Sequence, residues 1–158
     1  MPLSRYRALP VAERRDAWSA LWRLLVVRVS LIGGVHRTRR WLGGSARLAD
    51  STLGSAEQTL WARRALALQR VGRRLPGVHC LARSLALRWW MRASAIDAML
   101  IIAARKGPDG LDSHAWVEVG HTPVDERPET VDRYHVIWRE DTGPQGNVRG
   151  TSPTRLND

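Results

Sequence analysis

The chain has 158 residues, 44% of them hydrophobic, a formal net charge of +10 and one cysteine. That length allows one domain with one sizeable core and excludes two, and a lone cysteine excludes an internal disulfide, so a reducing cytoplasm is the expected setting. The pI is about 11.4 and Lys106 is the only lysine, so the positive field is almost wholly arginine; such a field attracts polyanions in general and specifies none.

The segment from Met1 to Val11 carries Arg5, Arg7 and Pro10 with no apolar run behind them, which argues against a signal peptide. The most hydrophobic window, Leu21 to Ile32, is broken by Arg23 and Arg28. It falls short of the roughly 20 apolar residues of a spanning helix. The next expectation is a helix from Val11 to Ile32, with Trp18, Leu21, Trp22, Leu25, Val29 and Ile32 at three- and four-residue steps, stopped by Gly33-Gly34. The stripe through Trp18, Trp22 and Leu25 is expected in the core; exposed, it would be a docking face. A short basic helical piece (Val35 to Leu42) and a Gly/Ser-rich connection follow. Ser55 with Gln58 has the form of a capping box opening a helix whose apolar face holds Leu60, Trp61, Ala65, Leu68 and Val71, and which ends at Gly72.

Pro76-Gly77 punctuates the chain, and a helix opening at Cys80 is expected to run to about Arg92. The period then changes to two. Strands are expected over Ala98 to Ala104 and Ser113 to Val119, with a turn over Lys106 to Asp112, a third strand near Thr122 to Asp125 and a fourth over Tyr134 to Trp138. From Gly143 the chain offers almost nothing to bury and reads as a flexible tail, 143–158. The expected fold class is α+β, with a helical region over 1–74 and, within a single domain ending at 142, a core over 75–142 in which the Cys80 helix packs on a small antiparallel sheet.

Three residue types stand out in that core. Cys80 falls at a helix start, where unsatisfied amides and partial positive charge favour a thiolate. The backbone N–H groups of Cys80 and Leu81 there can hold an oxyanion. Taken alone, a cysteine is as readily a small core residue. His114 lies in an alternating run that puts His114, Trp116 and Glu118 on one face and Ala115, Val117 and Val119 on the other, which leaves the polar set for a site. Asp125 and Glu126 follow on the next strand, where a carboxylate could orient the imidazole; neighbouring strand residues point oppositely, so at most one can serve. Asp132 and Asp141 are distant alternatives. His121 is expected in solvent, and His79 would tune the thiol or fill a turn. One cysteine and scattered histidines give no zinc-ligand spacing, and no phosphate-binding glycine loop is present, so no metal or cofactor is expected.

The run Cys80-Leu81-Ala82-Arg83-Ser84-Leu85-Ala86-Leu87, followed by an apolar strand and then His114-Ala115-Trp116-Val117-Glu118, closely resembles the leader peptidases of lasso peptide biosynthesis, a branch of the transglutaminase-like cysteine protease superfamily. The resemblance spans roughly Leu75 to Val136. It implies a papain-like fold that removes the leader from a ribosomally made precursor peptide, with Cys80 as nucleophile and His114 as general base and then acid. The family's Asn-Asp-like pair falls on Asp125-Glu126, so Glu126 is the matching acid and Asp125 its neighbour. Where the family has a Gly-Ile turn after the cysteine helix, this chain has Ala93-Ser94-Ala95-Ile96, which implies a longer or reshaped turn. Some relatives carry a fused leader-recognition domain of strands and helices, whereas Met1 to Gly72 shows no strand pattern. The implied partners are therefore the precursor peptide, a separate leader-recognition protein and an asparagine-synthetase-like macrolactam cyclase. Two other expectations compete: acyl transfer to an amine, as in transglutaminases, and a non-enzymatic arginine-rich module for nucleic acid or an anionic surface in which Cys80 fills the core. Nucleic acid is the less expected partner, because such arginine usage also follows from biased genomic composition.

Overall fold

The structure, a computed structural model, describes residues 10–34, 38, 52–108 and 110–140. The basic piece expected over Val35 to Leu42 and the tail from 143 lie, apart from Thr38, outside the described residues. Helix α1 spans Val11–Ile32, α2 Ser55–Gly72 and α3 Cys80–Ala93. Strands β1 (Met99–Gly107) and β2 (Gly110–Val119) form a hairpin, followed by β3 (Thr122–Pro123), the short helix α4 (Pro128–Val131) and β4 (His135–Arg139). The expected α+β class is the observed one: three helices pack together, and α3 lies on one antiparallel sheet of order β3-β2-β1-β4.

Helix α1 buries a different face from the one its spacing suggested. Ala20, Leu24 and Val27 are fully buried, while Trp18 and Trp22 are 68% and 62% exposed and Leu25 is 39% exposed. The helix carries two interleaved apolar stripes. The stripe that turns inward includes Asp16, whose carboxylate accepts from Arg63 Nε at 2.8 Å and lies 3.6 Å from Arg64 on α2. An ion pair with α2, and Ala20 at the crossing, decide which stripe packs. Arg64 also lies over the rings of Trp61 and Trp90, 4.5 and 4.9 Å from their centroids, and those rings meet edge to face.

Helix α2 is capped one residue earlier than expected, at Gly54: Glu57 Oε2 accepts from the N–H of Gly54 at 3.1 Å, while Gln58 donates to the carbonyl of Leu53 at 3.0 Å. Its last residue, Gly72, is buried against the start of α3. A Cβ there would stand 3.1 Å from Val78 Cγ1 and 3.2 Å from Arg83 Cδ, so glycine lets the two helices approach. The turn expected over Lys106 to Asp112 is tighter than that, because the strands pair as far as Gly107 and Gly110. Gly110, at φ +119°, holds a backbone that other residues rarely adopt.

One sheet face packs under the helices. Leu100, Ala115, Val117 and Val119 join Leu85, Ala86 and Met91 of α3 in the main core. The other face is smaller: Ile101, Ala103 and Trp116 are covered by Val131 and Tyr134. Consequently the face expected to be open at His114, Trp116 and Glu118 is open only at its His114 end. Trp116 is buried, and Glu118 is buried with one oxygen on the Trp116 indole N–H at 2.9 Å and the other on Arg139 at 2.6 Å.

The end of α3 explains the departure at Ala93-Ser94-Ala95-Ile96. The N–H of Ile96 bonds the carbonyl of Met91 at 3.1 Å and that of Ala95 bonds Arg92 at 3.0 Å. This is a Schellman closure with Ala95 at φ +60°, the left-handed position glycine usually fills. The turn is therefore not lengthened. Alanine simply occupies a glycine conformation.

Candidate active site

Helix α3 begins at Cys80 because the left-handed Gly77 and an extended His79 turn the chain into it. His79 makes no side-chain cap bond, and the first turn holds no acid. Its leading amides are thus left for other acceptors. The helix start abuts the outer edge of β2, the edge that β3 pairs only at Glu118 and Val119. Ser84, one turn after Cys80, is buried and lies 2.9 Å from the Ala115 carbonyl and 3.0 Å from Asp125 Oδ2.

That docking brings the half-buried Cys80 against His114. The thiol pKa is lowered, first by a hydrogen bond with His114, then by the charge of that ring and by the amides of Ala115 and Leu81, against an opposing push from burial. The imidazole moves the other way. Its pKa is raised chiefly by the hydrogen bond with Cys80, opposed by burial and helped by Glu126. Glu126 Oε1 lies 3.0 Å from His114 Nε2, so Nδ1 is the nitrogen left for the thiol. Both shifts favour a thiolate beside an imidazolium. Tyr134 stacks on the His114 ring with centroids 5.4 Å apart and Trp116 flanks it at 6.3 Å. The Tyr134 hydroxyl donates to Asp112 Oδ2 at 2.9 Å, an oxygen that also takes Arg105 Nε at 2.8 Å.

The two neighbouring acids part company. β3 ends at Pro123 and the chain bends through 124–126, so the alternation expected of a strand does not govern them. Glu126 meets His114. Asp125 turns instead to the backbone of β2, where Oδ1 accepts from the Val117 N–H at 2.8 Å and Oδ2 receives Ser84. Burial raises its pKa to about 6, against the Val117 and Ser84 hydrogen bonds that favour its anion. Ser84 has one proton for two acceptors. When Asp125 is ionised the hydroxyl can donate to it, and when Asp125 is protonated Ser84 can turn to Ala115 and accept from the acid.

Of the remaining histidines, His121 is exposed at φ +66° with Nδ1 3.4 Å from Arg139, and His79 caps α3. Asp132 lies exposed after α4, and Asp141 is outside the described residues. Cys80 and Leu81 both fall in the first turn of α3, with the Leu81 amide facing the thiol. The residues that the sequence reading passed over are Ser84, the Ala115 amide and Tyr134. The first carried a signal in its i+4 spacing from Cys80.

Among the described residues no cluster of His, Cys, Asp and Glu could hold a metal ion, and no helix is long and apolar enough to cross a membrane. In comparisons with known proteins, the sequence profile of the Transglutaminase-like superfamily matches residues 21–139. No curated protein and no solved structure matches the chain.

Proposed function

The chain belongs to the transglutaminase-like superfamily, whose domain points to cysteine-protease or acyl-transfer chemistry, and on that premise we propose that it is a cysteine peptidase that removes the leader from a ribosomally made lasso precursor peptide. The observation that carries the chemistry is the reciprocal shift: Cys80 is lowered and His114 raised through their shared hydrogen bond, while Glu126 holds the far ring nitrogen at 3.0 Å. The leader as substrate rests on the likeness of the Cys80 and His114 motifs to leader peptidases.

In this reading the Cys80 thiolate adds to the scissile carbonyl, forming a C–S bond and an oxyanion that the first-turn amides of Cys80 and Leu81 stabilise. His114 gives its proton to the departing amine as the C–N bond breaks, which leaves a thioester. Neutral His114 then takes a proton from water as the water attacks the thioester. Collapse releases the acid and restores the thiolate beside the imidazolium. Glu126 fixes the ring tautomer and steadies the imidazolium. Asp125 is a positioning residue: it ties the 124–126 bend to β2 and α3, so Glu126 is held in register with His114.

An amine in place of water would turn the same thioester into an acyl-transfer product. Leader recognition by a separate protein is part of the proposal and rests on the same likeness. The exposed Trp18 and Trp22 of α1 offer that protein an apolar face. The test is Cys80→Ala with a leader-core precursor: cleavage is abolished while the circular dichroism spectrum is kept, and retained cleavage overturns the proposal. The masses of wild-type products separate hydrolysis from transfer.

A further inference from the structure

A cleft of about 680 Å3 lies between α2, α3 and the 124–130 segment, within the size range of ligand-binding clefts, roughly 300–1,000 Å3. Its wall on α3 is Arg83, Ser84 and Leu87, which with Cys80 form one stripe of that helix at three- and four-residue steps. Its opposite wall includes Glu126, the carboxylate on His114. The cleft therefore opens one helical turn from the nucleophile. Ala62 and Ala65 make room on the α2 side, and Leu66, Leu87 and Val124 give it an apolar lining.

Arginine outnumbers acid on this cleft. Arg73, Arg83 and Arg127 line it, and none of their side chains has an ion pair or hydrogen bond among the described residues, whereas Arg63, Arg70, Arg105 and Arg139 elsewhere each meet a carboxylate. The two acids in the lining are already engaged, Asp125 by Val117 and Ser84 and Glu126 by His114. Three arginines thus border a half-apolar trough with no carboxylate paired to them among the described residues.

We infer that this cleft binds an acidic stretch of the substrate polypeptide, with Asp or Glu alternating with small or aliphatic residues, and thereby sets an adjacent peptide bond on Cys80. The inference rests on the peptidase reading and adds the substrate class. Arginine takes carboxylates in forked pairs. The apolar trough takes the intervening side chains.

The test uses the full chain carrying Cys80→Ala, so that binding is read without turnover, and a fluorescein-labelled peptide alternating Glu with Ala and Leu against its Gln counterpart. Fluorescence anisotropy should show the Glu peptide binding about tenfold tighter at low salt, an advantage that added NaCl erodes. The Arg73→Glu, Arg127→Glu double variant should lose that advantage, and the milder Arg73→Gln, Arg127→Gln variant most of it. Arg15→Glu, on the exposed face of α1, should keep it. Equal binding of the two peptides, or equal loss in the Arg15→Glu control, overturns the inference, since the second result would mean that only the overall positive field is felt. Because this arm involves no catalysis, a wild-type protein that binds the Glu peptide yet cleaves no peptide refutes the peptidase reading alone. A protein that cleaves acidic and neutral peptides with the same KM refutes the cleft assignment alone.

Discussion

The two ends of α3 place charge in opposite ways. At its start, Cys80 and His114 remain partly exposed, the cap residue contributes no side-chain bond, and the thiol is shifted down and the imidazole up in pKa. Toward its other end Arg88 is 1% exposed and its guanidinium meets both oxygens of Glu140. Glu140 also accepts from the Leu100 N–H at 3.3 Å, and its own N–H bonds the Leu100 carbonyl at 3.0 Å, so the pair fastens α3 to the end of β1. One end keeps ionisable groups within reach of a substrate and responsive to protons. The other seals a pair of charges whose work is to join elements 52 residues apart. The candidate site therefore lies where the helix is left open, and the buried ion pair where it is closed.

The contrast breaks first at the reactive end. His114→Ala should lower the turnover rate by about 10²–10⁴-fold, the usual worth of a positioned acid-base group, and slow iodoacetamide alkylation of Cys80 at neutral pH because the thiol loses the partner that lowers its pKa. Unfolding curves should barely move. At the sealed end the converse holds: Arg88→Ala removes the guanidinium that meets both Glu140 oxygens, leaves that buried carboxylate to Arg92 at 3.7 Å, and should cost about 3 kcal/mol of stability, read as a fall in the urea midpoint, with alkylation of the folded fraction unchanged. A reactive thiol that depends on Arg88 would dissolve the distinction.

Asp125 sharpens the comparison, because it is buried like the sealed pair yet touches the open end. Its folded pKa of about 6 exceeds the ordinary 3.8, so the folded state holds the proton more tightly. Its contribution to stability is complete below the unfolded value and is lost as pH rises through the folded one. The stability of the wild type relative to Asp125→Asn should therefore decline between pH 3.8 and about 6, as measured by urea unfolding of both proteins across that window. A flat difference would remove Asp125 as a proton-linked element. The smallest effect concerns the closing turn: Ala95→Gly relieves the left-handed alanine at φ +60° and should stabilise by about 0.5–1 kcal/mol, seen as a small rise in the melting temperature with unchanged alkylation.

Much of the half that carries the candidate site was legible because its signals are local. Pro76-Gly77 before Cys80, the period of two around His114 and the turn residues between the strands each act over a few residues, and the helix start and hairpin appear where they point. What escaped depends on distant partners. The choice between the two stripes of α1 is made by Asp16 against Arg63, 47 residues away. The separation of Asp125 from Glu126 depends on the chain leaving β3 at Pro123, after which alternation no longer tells direction. The burial of Arg88 carries no local signal, since nothing near it in the chain reveals that Glu140 will cover it.

The outer edge of β2 is a row of backbone groups that β3 pairs for only two residues. An uncovered edge of this kind is a template for joining other chains. Here Ala115 is occupied by Cys80 and Ser84, and Val117 by Val124 and Asp125. The residues gathered around the thiol thus also act as the shield against edge-to-edge aggregation, so solubility and chemistry constrain the same few side chains, and a change that slackens one exposes the other.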